Sequence, residues 1–498
     1  MTAPGWEAHL PAGFRARDVD LTARRTLPQA WNTAWATAPS APLLFEQSTG
    51  WISGAELEEA TRAVAGRFQA AGLEPGDRIL FSAGTSMGLV VAHVAALRGG
   101  LVVVPANTSY RERELAHIVA DSRPKAALLD DDKRAGWVRR AAADEVLVVG
   151  PEVDLPDRAP AGLDDAAPGD PALIGYTSGT TGSPKGAVLT HSNLLAGTES
   201  VHLAWRWTGD DRLVLALPLF HTHGLCVGLH GTLLAGAGVV LLPRFDVDAV
   251  LDGAARHAAT LFFGVPTMYQ RLARSPRVAE LGRLRLCVSG SAPLPAELHR
   301  ALAEHGGQQV LERYGMTETL MNVSNPYEGE RRAGSVGLPL PGVDVRLSDG
   351  GEIQVRGPNV FGGYWERPQA TAESFVDGWF RTGDLGRLDS DGYLRILGRT
   401  KELIITGGLN VYPREVEEVV QSHPDVAEAA VVGTPSDEWG EVVTAFVVPA
   451  AEHPSAEALM EFAAERLAPF KRPRRVQFVD TLPRNALGKV LKHELIAG

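Results

Sequence analysis

Cysteine is rare in this sequence: Cys226 and Cys287 are the only two in 498 residues. No Cys-x-x-Cys occurs, which excludes a cysteine-based zinc site and a disulfide framework and is typical of a reducing compartment. The first residues lack a basic segment followed by an apolar run, so no signal peptide is predicted. The longest apolar stretch, 89–106, is interrupted by His93 and Arg98 and is unsuitable for a membrane-spanning helix. We therefore expect a cytoplasmic protein.

Positive charge is scarce as well. The 48 Lys and Arg residues are outnumbered by 60 Asp and Glu residues, and the formal net charge is −12 at pH 7. This balance argues against a protein that grips nucleic acid, which normally needs a basic face. No nucleic acid, membrane or obligate protein partner is predicted. Only seven of the basic residues are lysines, and three of these stand in glycine-containing segments: Lys185, Lys401 and Lys489.

The length of the chain gives the first indication of its architecture. A chain of 498 residues exceeds the roughly 250 to 300 residues of a single hydrophobic core, so more than one domain is expected. Its 45% hydrophobic and 22% charged residues are ordinary for a globular protein.

Helical and strand patterns alternate along the first half of the chain, which predicts mostly parallel sheets with helices on both faces. The predicted helices are 57–72, 87–98 and 112–122. The predicted strands of a first α/β unit are 77–81, 101–104, 126–129, 146–149 and 172–176. A second α/β unit follows, with predicted strands 213–216, 239–242, 261–265 and 284–289.

The pattern changes from Asp344 onward to short alternating runs with Asp-Gly turns at Asp349, Asp377 and Asp391, which predict β-hairpins. Beyond Gly398 a small unit is predicted with helices 413–421 and 455–467 and strands 426–433 and 442–449. The fold class is therefore α/β: a large N-terminal domain of two doubly wound α/β subdomains plus a small β-barrel-like part, then a small mobile α+β C-terminal domain. We place the domains at 1–398 and 403–498, with a hinge at 399–402.

Residues 176–186 read Tyr-Thr-Ser-Gly-Thr-Thr-Gly-Ser-Pro-Lys-Gly and predict a phosphate-binding loop. Glycines let backbone N–H groups approach an anion, Ser and Thr hydroxyls donate hydrogen bonds, and Lys185 adds positive charge. A Walker loop is excluded, because Pro184 stands at its second glycine and Gly186 at its Ser/Thr. A polar surface loop is the structural alternative. The position after strand 172–176 favours a ligand site, since open α/β sheets bind ligands at that end of a strand.

Four further motifs occur in order along the chain. They are 314–319 (Tyr-Gly-Met-Thr-Glu-Thr), 379–384 (Trp-Phe-Arg-Thr-Gly-Asp), 398–408 (Gly-Arg-Thr-Lys-Glu-Leu-Ile-Ile-Thr-Gly-Gly) and 483–489 (Pro-Arg-Asn-Ala-Leu-Gly-Lys). With these five motifs the chain resembles the adenylate-forming enzymes, which include acyl-CoA synthetases, adenylation domains of peptide synthetases and luciferases, over almost its whole length. The resemblance implies a C-terminal domain that swings about the hinge residue Lys401 between two half-reactions.

The first half-reaction of this family is the attack of a carboxylate on the α-phosphate of ATP, during which negative charge grows on phosphate oxygens. The resemblance implies that Lys489 bridges the carboxylate and the α-phosphate, and that Thr317 contacts the α-phosphate. It also implies that Glu318 and Thr181 hold Mg²⁺. The ATP-binding residues that it implies are Thr177, Ser178, Gly179, Thr180, Thr181, Gly182, Lys185, Gly290, Ser291, Ala292, Tyr314, Gly315, Asp384 and Arg399.

The second half-reaction transfers the acyl group to the thiol of CoA. The resemblance implies that His221 stands as a catalytic residue between the acyl pocket and the thiol tunnel, and that Gly407 and Gly408 line the CoA tunnel. From the residues alone, Glu318 could equally be a carboxylate at a helix start, and Lys489 a solvated lysine in a loop. His221 and His223 lack a nearby carboxylate, so a metal site between them is not favoured.

The segment 313–337 resembles the malonyl-CoA synthetases in particular. A dicarboxylate needs a cation at the blind end of its pocket, because a buried unpaired charge costs several kcal/mol. Strand alternation puts Arg283, Arg285, Cys287 and Ser289 on one face, which makes Arg285 the candidate; the alternative for Arg285 is an exposed arginine at a strand start. Arg244 is the rival candidate. Thr222 and Met316 are expected to limit the substituent on C2 of the acid.

Other functions remain compatible with the sequence. The chain could ligate another short or medium carboxylic acid to CoA, load the pantetheine arm of a carrier protein, or act as a luciferase-like oxygenase. A catalytically inactive nucleotide-binding module is the alternative that is not an enzyme, and the intact Lys185, Lys401 and Lys489 argue against it.

Overall fold

The structure is a computed structural model, and it describes residues 5–22, 24–143, 145–177, 184–436, 438–450, 454–485 and 488–496. Among the predicted ATP-binding residues, Ser178, Gly179, Thr180, Thr181 and Gly182 lie outside this description. The chain divides into two compact units. The larger consists of Pro4–Val345 and Val355–Phe380, and the smaller contains Arg346–Gln354 and Arg381–Gly498.

The larger unit contains a nine-stranded sheet with a parallel centre and antiparallel edges. In spatial order its strands are Leu338–Pro339, Leu320–Ser324, Leu311–Met316, Leu286–Ser289, Leu261–Gly264, Arg212–Leu215, Gly238–Leu241, Pro42–Glu46 and Gly50–Ser53. The central strands are buried along their whole length, as apolar strands of parallel sheets are.

A seven-stranded sheet is also part of the larger unit. Its strands in spatial order are Gly363–Tyr364, Lys185–Thr190, Pro171–Thr177, Val102–Pro105, Arg78–Ser82, Ala126–Leu129 and Leu147–Val149. The five strands from Pro171–Thr177 to Leu147–Val149 run parallel, and Lys185–Thr190 returns antiparallel.

Several helices of the larger unit begin at a polar cap and bury an apolar side. Thr26, Ser53 and Thr190 each form a capping box with the residue three positions later, which satisfies N–H groups of the first turn. The α-helices are Leu27–Thr37, Gly54–Ala70, Met87–Arg98, Glu112–Ser122, Asp132–Ala141, His191–Ala204, His230–Ala235, Val247–Arg256, Pro266–Ala273, Ala296–Gly306 and Pro368–Glu373. A π-helix, His223–Leu229, directly precedes His230–Ala235, and 3₁₀ turns span Trp6–His9, Ala16–Asp18 and Val278–Arg283.

Short strands follow between residues 344 and 399: Asp344–Leu347, Glu352–Arg356, Phe375–Val376, Trp379–Leu388 and Leu394–Arg399. The Asp-Gly pairs at Asp349, Asp377 and Asp391 each join two of these strands. In the smaller unit, Trp379–Leu388 and Leu394–Arg399 pair so that Asp384 lies opposite Arg399.

The smaller unit also contains a sheet of its own with a separate apolar core. Its strands are Leu409–Val411, Ile404–Thr406, Gly440–Pro449 and Val426–Ser436, with Arg475–Phe478 parallel to Gly440–Pro449. The helices are Pro413–Gln421, Ala456–Ala464 and Lys492–Ile496, and 3₁₀ turns span Thr400–Glu402 and Pro469–Lys471.

The predicted fold class is confirmed, and helices 87–98, 112–122 and 413–421 and strand 126–129 have the predicted bounds. The predicted strand 284–289 was wrong at its start: residues 284–285 precede the strand Leu286–Ser289, because the 3₁₀ turn Val278–Arg283 ends just before them. The phosphate-binding segment follows strand Pro171–Thr177 as expected, and an antiparallel strand, Lys185–Thr190, stands between it and the helix that begins at His191. In the part of the chain that the structure describes, no helix is long and apolar enough to cross a membrane.

The proposed hinge at 399–402 lies inside the smaller unit, in its segment Arg381–Gly498. A compact unit is a region of dense packing, whereas a hinge is a place of rotation, so the domain bounds 1–398 and 403–498 stay a prediction.

Candidate active site

Two antiparallel strands of the larger unit flank the predicted phosphate-binding segment. Strand Pro171–Thr177 pairs with Lys185–Thr190 so that Thr177 lies opposite Lys185. The ammonium of Lys185 lies 5.3 Å from the ring centre of Tyr364. Both Thr177 and Lys185 are therefore held at the ends of the two strands that frame the segment.

The second motif, Thr317-Glu318-Thr319, forms the turn between strands Leu311–Met316 and Leu320–Ser324. A Cβ added to Gly175 would lie 2.5 Å from Thr317 Cγ2, which is closer than real Cβ contacts. Gly175 therefore permits the strand of the phosphate hairpin to pass directly beside Thr317. The structure thus brings together two motifs that are about 140 residues apart, both assigned to the phosphates of ATP.

Tyr364 links these two motifs, although sequence reasoning did not identify it. Its hydroxyl donates a hydrogen bond to Glu318 Oε1 at 3.0 Å, while its ring lies under Lys185. Burial and then the Glu318 charge raise the pKa of Tyr364, so it stays a donor at neutral pH. The only signal in the sequence was an aromatic residue after Gly362 and Gly363, in a strand of two residues that no periodicity could reveal.

Glu318 fits a magnesium ion that arrives with ATP. Its side chain is buried, and Mg²⁺ typically takes one or two carboxylates while phosphates and water supply the other ligands. The described residues contain no group of three or more His, Cys, Asp or Glu that could hold a metal by itself. Glu318 would hold the ion, and the ion would neutralise charge on the phosphates. Thr181 lies outside the described residues.

The residues predicted to hold adenine follow neighbouring parallel strands. Gly290, Ser291 and Ala292 come directly after Leu286–Ser289, and Tyr314 and Gly315 belong to Leu311–Met316. These two strands pair, with Ser289 opposite Glu312. A Cβ on Gly290 would lie 2.3 Å from Arg313 Cζ, so glycine is needed for the guanidinium to pack against the backbone there.

Arg313 is a functional candidate that sequence reasoning missed. Its side chain is 4% exposed, and its Nε and Nη2 have no hydrogen-bond partner among the described residues. Burial lowers the pKa of Arg313 to about 9, so the side chain is still a cation at neutral pH. An arginine directly before Tyr314, at the end of an apolar strand, was the available signal.

His221 and His223 lie near this cation. Burial and then the charge of Arg313 lower the pKa of His221 to about 4, and the same causes hold the pKa of His223 well below its usual value. The backbone N–H of His223 donates to His221 Nδ1 at 3.2 Å. Neutral His221 therefore carries its proton on Nε2 and can donate a hydrogen bond from that atom.

Arg285 does not join this cluster. It binds Asp211 with two hydrogen bonds of 2.6 Å and donates to the backbone oxygens of Trp205 and Arg206. It also precedes strand Leu286–Ser289, whereas Gly290 follows that strand. The role predicted for Arg285 as the partner of a distal carboxylate therefore has no geometric support, because the guanidinium is already occupied at the other end of the strand.

The other residues assigned to the acid differ in burial. Thr222 is buried directly before the π-helix His223–Leu229, and Met316 is half-buried at the end of its strand. Arg244, the rival cation, is exposed after strand Gly238–Leu241.

The smaller unit brings together three residues that the family resemblance assigns to ATP. Arg399 Nε lies 2.9 Å from Asp384 Oδ1, which joins the two residues assigned to the ribose. Desolvation by the surrounding protein, and then the charge of Arg399, lower the pKa of Lys489. The ammonium of Lys489 makes no ion pair with a described residue. Lys489 is therefore a cation close to Asp384 and Arg399 and available to a ligand.

The hinge and tunnel residues of the smaller unit occupy turns. Lys401 is exposed in the 3₁₀ turn Thr400–Glu402. Gly407 and Gly408 have φ of +56° and +78° at the tip of the hairpin formed by Ile404–Thr406 and Leu409–Val411. Both conformations favour glycine. A Cβ on Gly407 would lie 2.9 Å from the Trp439 ring, whereas one on the exposed Gly408 would meet nothing within 4 Å.

Comparison with known families decides the chemistry. Residues 31–365 match the AMP-binding enzyme family, and residues 415–489 match the family of the AMP-binding enzyme C-terminal domain. The chain belongs to the AMP-binding enzyme family. It is an AMP-forming acyl-CoA synthetase that uses ATP with Mg²⁺ and takes CoA as co-substrate.

Individual relatives show how wide the family's choice of acid is. A feruloyl-CoA synthase from an Amycolatopsis species is 40% identical over 89% of this chain and 93% of its own length. A malonate–CoA ligase of Arabidopsis thaliana is 36% identical over 86% of this chain and 79% of its own length. The crystal structure of ATP-bound MatB from Rhodopseudomonas palustris has a TM-score of 0.90 and 42% identity, covering 94% of this chain and 98% of that one.

The acyl-CoA synthetase reaction needs an activated acid, because a carboxylate at neutral pH resists attack by a thiolate. Attack of the acid on the α-phosphate forms an acyl adenylate, and AMP is then a good leaving group. The family resemblance assigns Lys185 and Lys489 to the charge that grows on phosphate oxygens. Neutral His221 offers a donor rather than a charge.

Proposed function

We propose that this acyl-CoA synthetase is a malonate–CoA ligase. It converts malonate, ATP and CoA to malonyl-CoA, AMP and diphosphate through a malonyl adenylate, and it also accepts methylmalonate. The observation that carries the proposal is Arg313, a buried cation with two unpartnered nitrogens among the described residues.

A buried unpaired cation favours a ligand that carries a second negative charge. Desolvating a charge without a partner costs several kcal/mol, and an incoming carboxylate removes that cost. A guanidinium also matches a carboxylate with two parallel hydrogen bonds. The neighbouring His221 and His223 are neutral, so neither would compete with Arg313 for this carboxylate as a cation.

The reacting carboxylate has a different cation. By family resemblance it is bridged to the α-phosphate by Lys489, which leaves Arg313 for the distal carboxylate. Malonate carries two carboxylates on one carbon, so one of them can react while the other pairs with Arg313. Thr222 and Met316 would then limit the substituent on that carbon, so that methylmalonate fits better than longer derivatives.

A monocarboxylic acid is the principal alternative, since one relative is a feruloyl-CoA synthase. Such an acid would place its apolar end near the guanidinium of Arg313 and leave the charge unpaired. Loading of a carrier protein instead of free CoA is a second alternative. The choice of acid is therefore tested together with the choice of acceptor.

The test is diphosphate release from the wild-type protein with malonate, methylmalonate, sulfoacetate, butyrate and ferulate, each with and without CoA. We expect the highest kcat/KM with malonate. Sulfoacetate should retain part of the activity, because a sulfonate keeps the distal charge. Arg313→Met should lower kcat/KM for malonate by about 30-fold to several thousand-fold, the effect of truncating one partner of a buried charge pair worth about 2 to 5 kcal/mol. Butyrate should be turned over as well as before, or better.

Arg285→Leu is the matched control, because Arg285 is a second arginine with limited exposure but is ion-paired to Asp211. We expect it to lower the thermal stability and to reduce malonate and butyrate turnover by one common factor. Two results would overturn the proposal: a wild-type preference for ferulate or butyrate, or an equal loss of malonate and butyrate activity in Arg313→Met.

A further inference from the structure

Lys492 forms two ion pairs close to the catalytic lysine of the smaller unit. Its ammonium lies 2.7 Å from Glu417 Oε1 and 3.6 Å from Glu402 Oε2. The three side chains are only 17% to 27% exposed. Partial burial shields these pairs from water and salt, so they constrain the chain more than surface pairs do.

The two carboxylates attach Lys492 to different elements. Glu417 belongs to helix Pro413–Gln421, and its Oε1 also accepts the backbone N–H of Val431 at 2.8 Å. Val431 is fully buried in the sheet of the smaller unit. Glu402 directly follows the proposed hinge residue Lys401. One ammonium therefore ties the end of the hinge turn to the core of the smaller unit.

Lys489 lies three residues before Lys492, on a tight turn. Its backbone N–H donates to Asn485 Oδ1 at 3.0 Å, and its carbonyl accepts from the Asn485 N–H at 2.9 Å. Only Val490 and Leu491 separate this turn from Lys492. Because so short a segment has few conformations, an anchor at Lys492 restricts the direction in which the Lys489 side chain leaves the turn.

We propose that Lys492 is a positioning residue for the adenylate-forming step, in which it aims Lys489 by clamping the segment after it to Glu417 and Glu402. This inference rests on the role of Lys489 in that step. The same clamp makes Glu402 and Lys489 move as one body, so a rotation at Lys401 carries both. Lys492 itself touches no reacting atom.

The test measures the two half-reactions separately in Lys492→Met, which keeps the length of the side chain and removes the charge. Adenylate formation is followed by diphosphate release, and thioester formation is followed with supplied acyl adenylate and CoA. We expect the first rate to fall by roughly 10-fold to 100-fold, the effect of a small misplacement of a catalytic group, with the second unchanged. Lys492→Arg should restore most of the first rate, because it restores the charge.

Lys471→Met is the matched control, since Lys471 pairs with Glu415 on the same helix at 2.7 Å but lies away from the Lys489 turn in the sequence. It should leave adenylate formation as in the wild type. If Lys492→Met does not fold, Glu402→Gln removes one of the two pairs and should give a smaller loss confined to the same half-reaction.

Equal loss in both half-reactions, or no loss beyond that of Lys471→Met, would overturn the inference. The experiment uses whichever acid the wild type activates best, so its result does not depend on malonate being the substrate. Lys489→Ala is measured in parallel. If that variant keeps adenylate formation, the assumed role of Lys489 fails, and with it the inference about Lys492.

Discussion

Several histidines of this protein are buried, and their pKa values are lowered. Burial lowers the pKa to about 4 for His9 and His191 and to about 3 for His93. The Nε2 atoms of His93 and His230 lie 2.8 Å apart. Their unfolded-state pKa is 6.5. Between about pH 6.5 and 4 the unfolded chain therefore binds protons that the folded protein does not, so these residues destabilise the fold as the pH falls through that range.

We predict that the free energy of unfolding is largely maintained above pH 6.5 and falls as the pH is lowered from 6.5 to 5. Each such histidine contributes up to about 1.4 kcal/mol per pH unit. Denaturant titrations at pH 7.5, 6.0 and 5.0 measure the slope. His191→Leu should reduce it, because neither ring nitrogen of His191 has a hydrogen-bond partner among the described residues. The exposed His305 supplies the control His305→Gln; an equal slope in both variants would contradict the prediction.

At the scale of elements, the turn that carries Thr317 and Glu318 depends on two close approaches. Leu320, at its end, has φ of +54° although it is a large residue, and it is 2% exposed. Such a backbone conformation is rare for a bulky side chain and has to be held by its surroundings. A Cβ on Gly315 would lie 1.9 Å from the carbonyl oxygen of Leu320, and one on Gly197 would lie 2.7 Å from Leu320 Cδ1.

Gly197→Ala should therefore displace Leu320, and with it the turn that carries Thr317 and Glu318. We expect a loss of about 1 to 3 kcal/mol in the free energy of unfolding and a higher KM for ATP, because overpacking forces neighbouring groups to shift. The double variant Gly197→Ala/Leu320→Ala should recover part of both, with a coupling energy of about 0.5 kcal/mol or more.

Gly136→Ala is the control for this experiment. Gly136 also lies inside a helix, Asp132–Ala141, but the nearest atom to an added Cβ is 3.5 Å away, at the end of the Arg140 side chain. This variant should be neutral or stabilising, since alanine favours a helix by about 1 kcal/mol over glycine. Additive effects of Gly197→Ala and Leu320→Ala would show that the two positions do not constrain one another.

For the molecule as a whole, one chain has to catalyse two half-reactions in turn. The family resemblance implies that the C-terminal domain rotates at Lys401, which lies in the turn Thr400–Glu402 of the smaller unit. A rotation there requires a change in φ and ψ at very few residues. Restricting the backbone at Lys401 is therefore the most direct way to interfere with the alternation.

We predict that Lys401→Pro slows thioester formation more than adenylate formation, because proline fixes φ near −65° and removes a backbone donor. Diphosphate release and thioester formation from supplied adenylate give the two rates. Lys401→Ala keeps the backbone N–H and the freedom of φ, so it should leave the ratio of the two rates close to that of the wild type. Parallel slowing of both steps in Lys401→Pro, or no slowing, would contradict a hinge at this residue.

The element types, the α/β class and the family could be predicted from the sequence alone, because each is expressed in contiguous residues. Helical and strand periodicities are local properties. In a glycine-rich motif such as 176–186, the residues that let backbone N–H groups approach an anion are neighbours in the sequence. Helix 112–122 and strand 126–129 were predicted to the residue for this reason. The pairing of Asp384 with Arg399 also follows from two motifs on consecutive strands, although their register was not predicted.

The tertiary structure was needed to show which of the two candidate arginines is already ion-paired. Arg285 and Arg313 both belong to apolar segments that approach the glycine-bearing turns, and sequence alternation favoured Arg285. The fold supplies Asp211, 74 residues away, as the partner of Arg285, whereas it buries Arg313 against Gly290 and leaves two of its nitrogens without a partner among the described residues. The charge state and availability of a side chain depend on neighbours far away in the sequence, and no local pattern contains them.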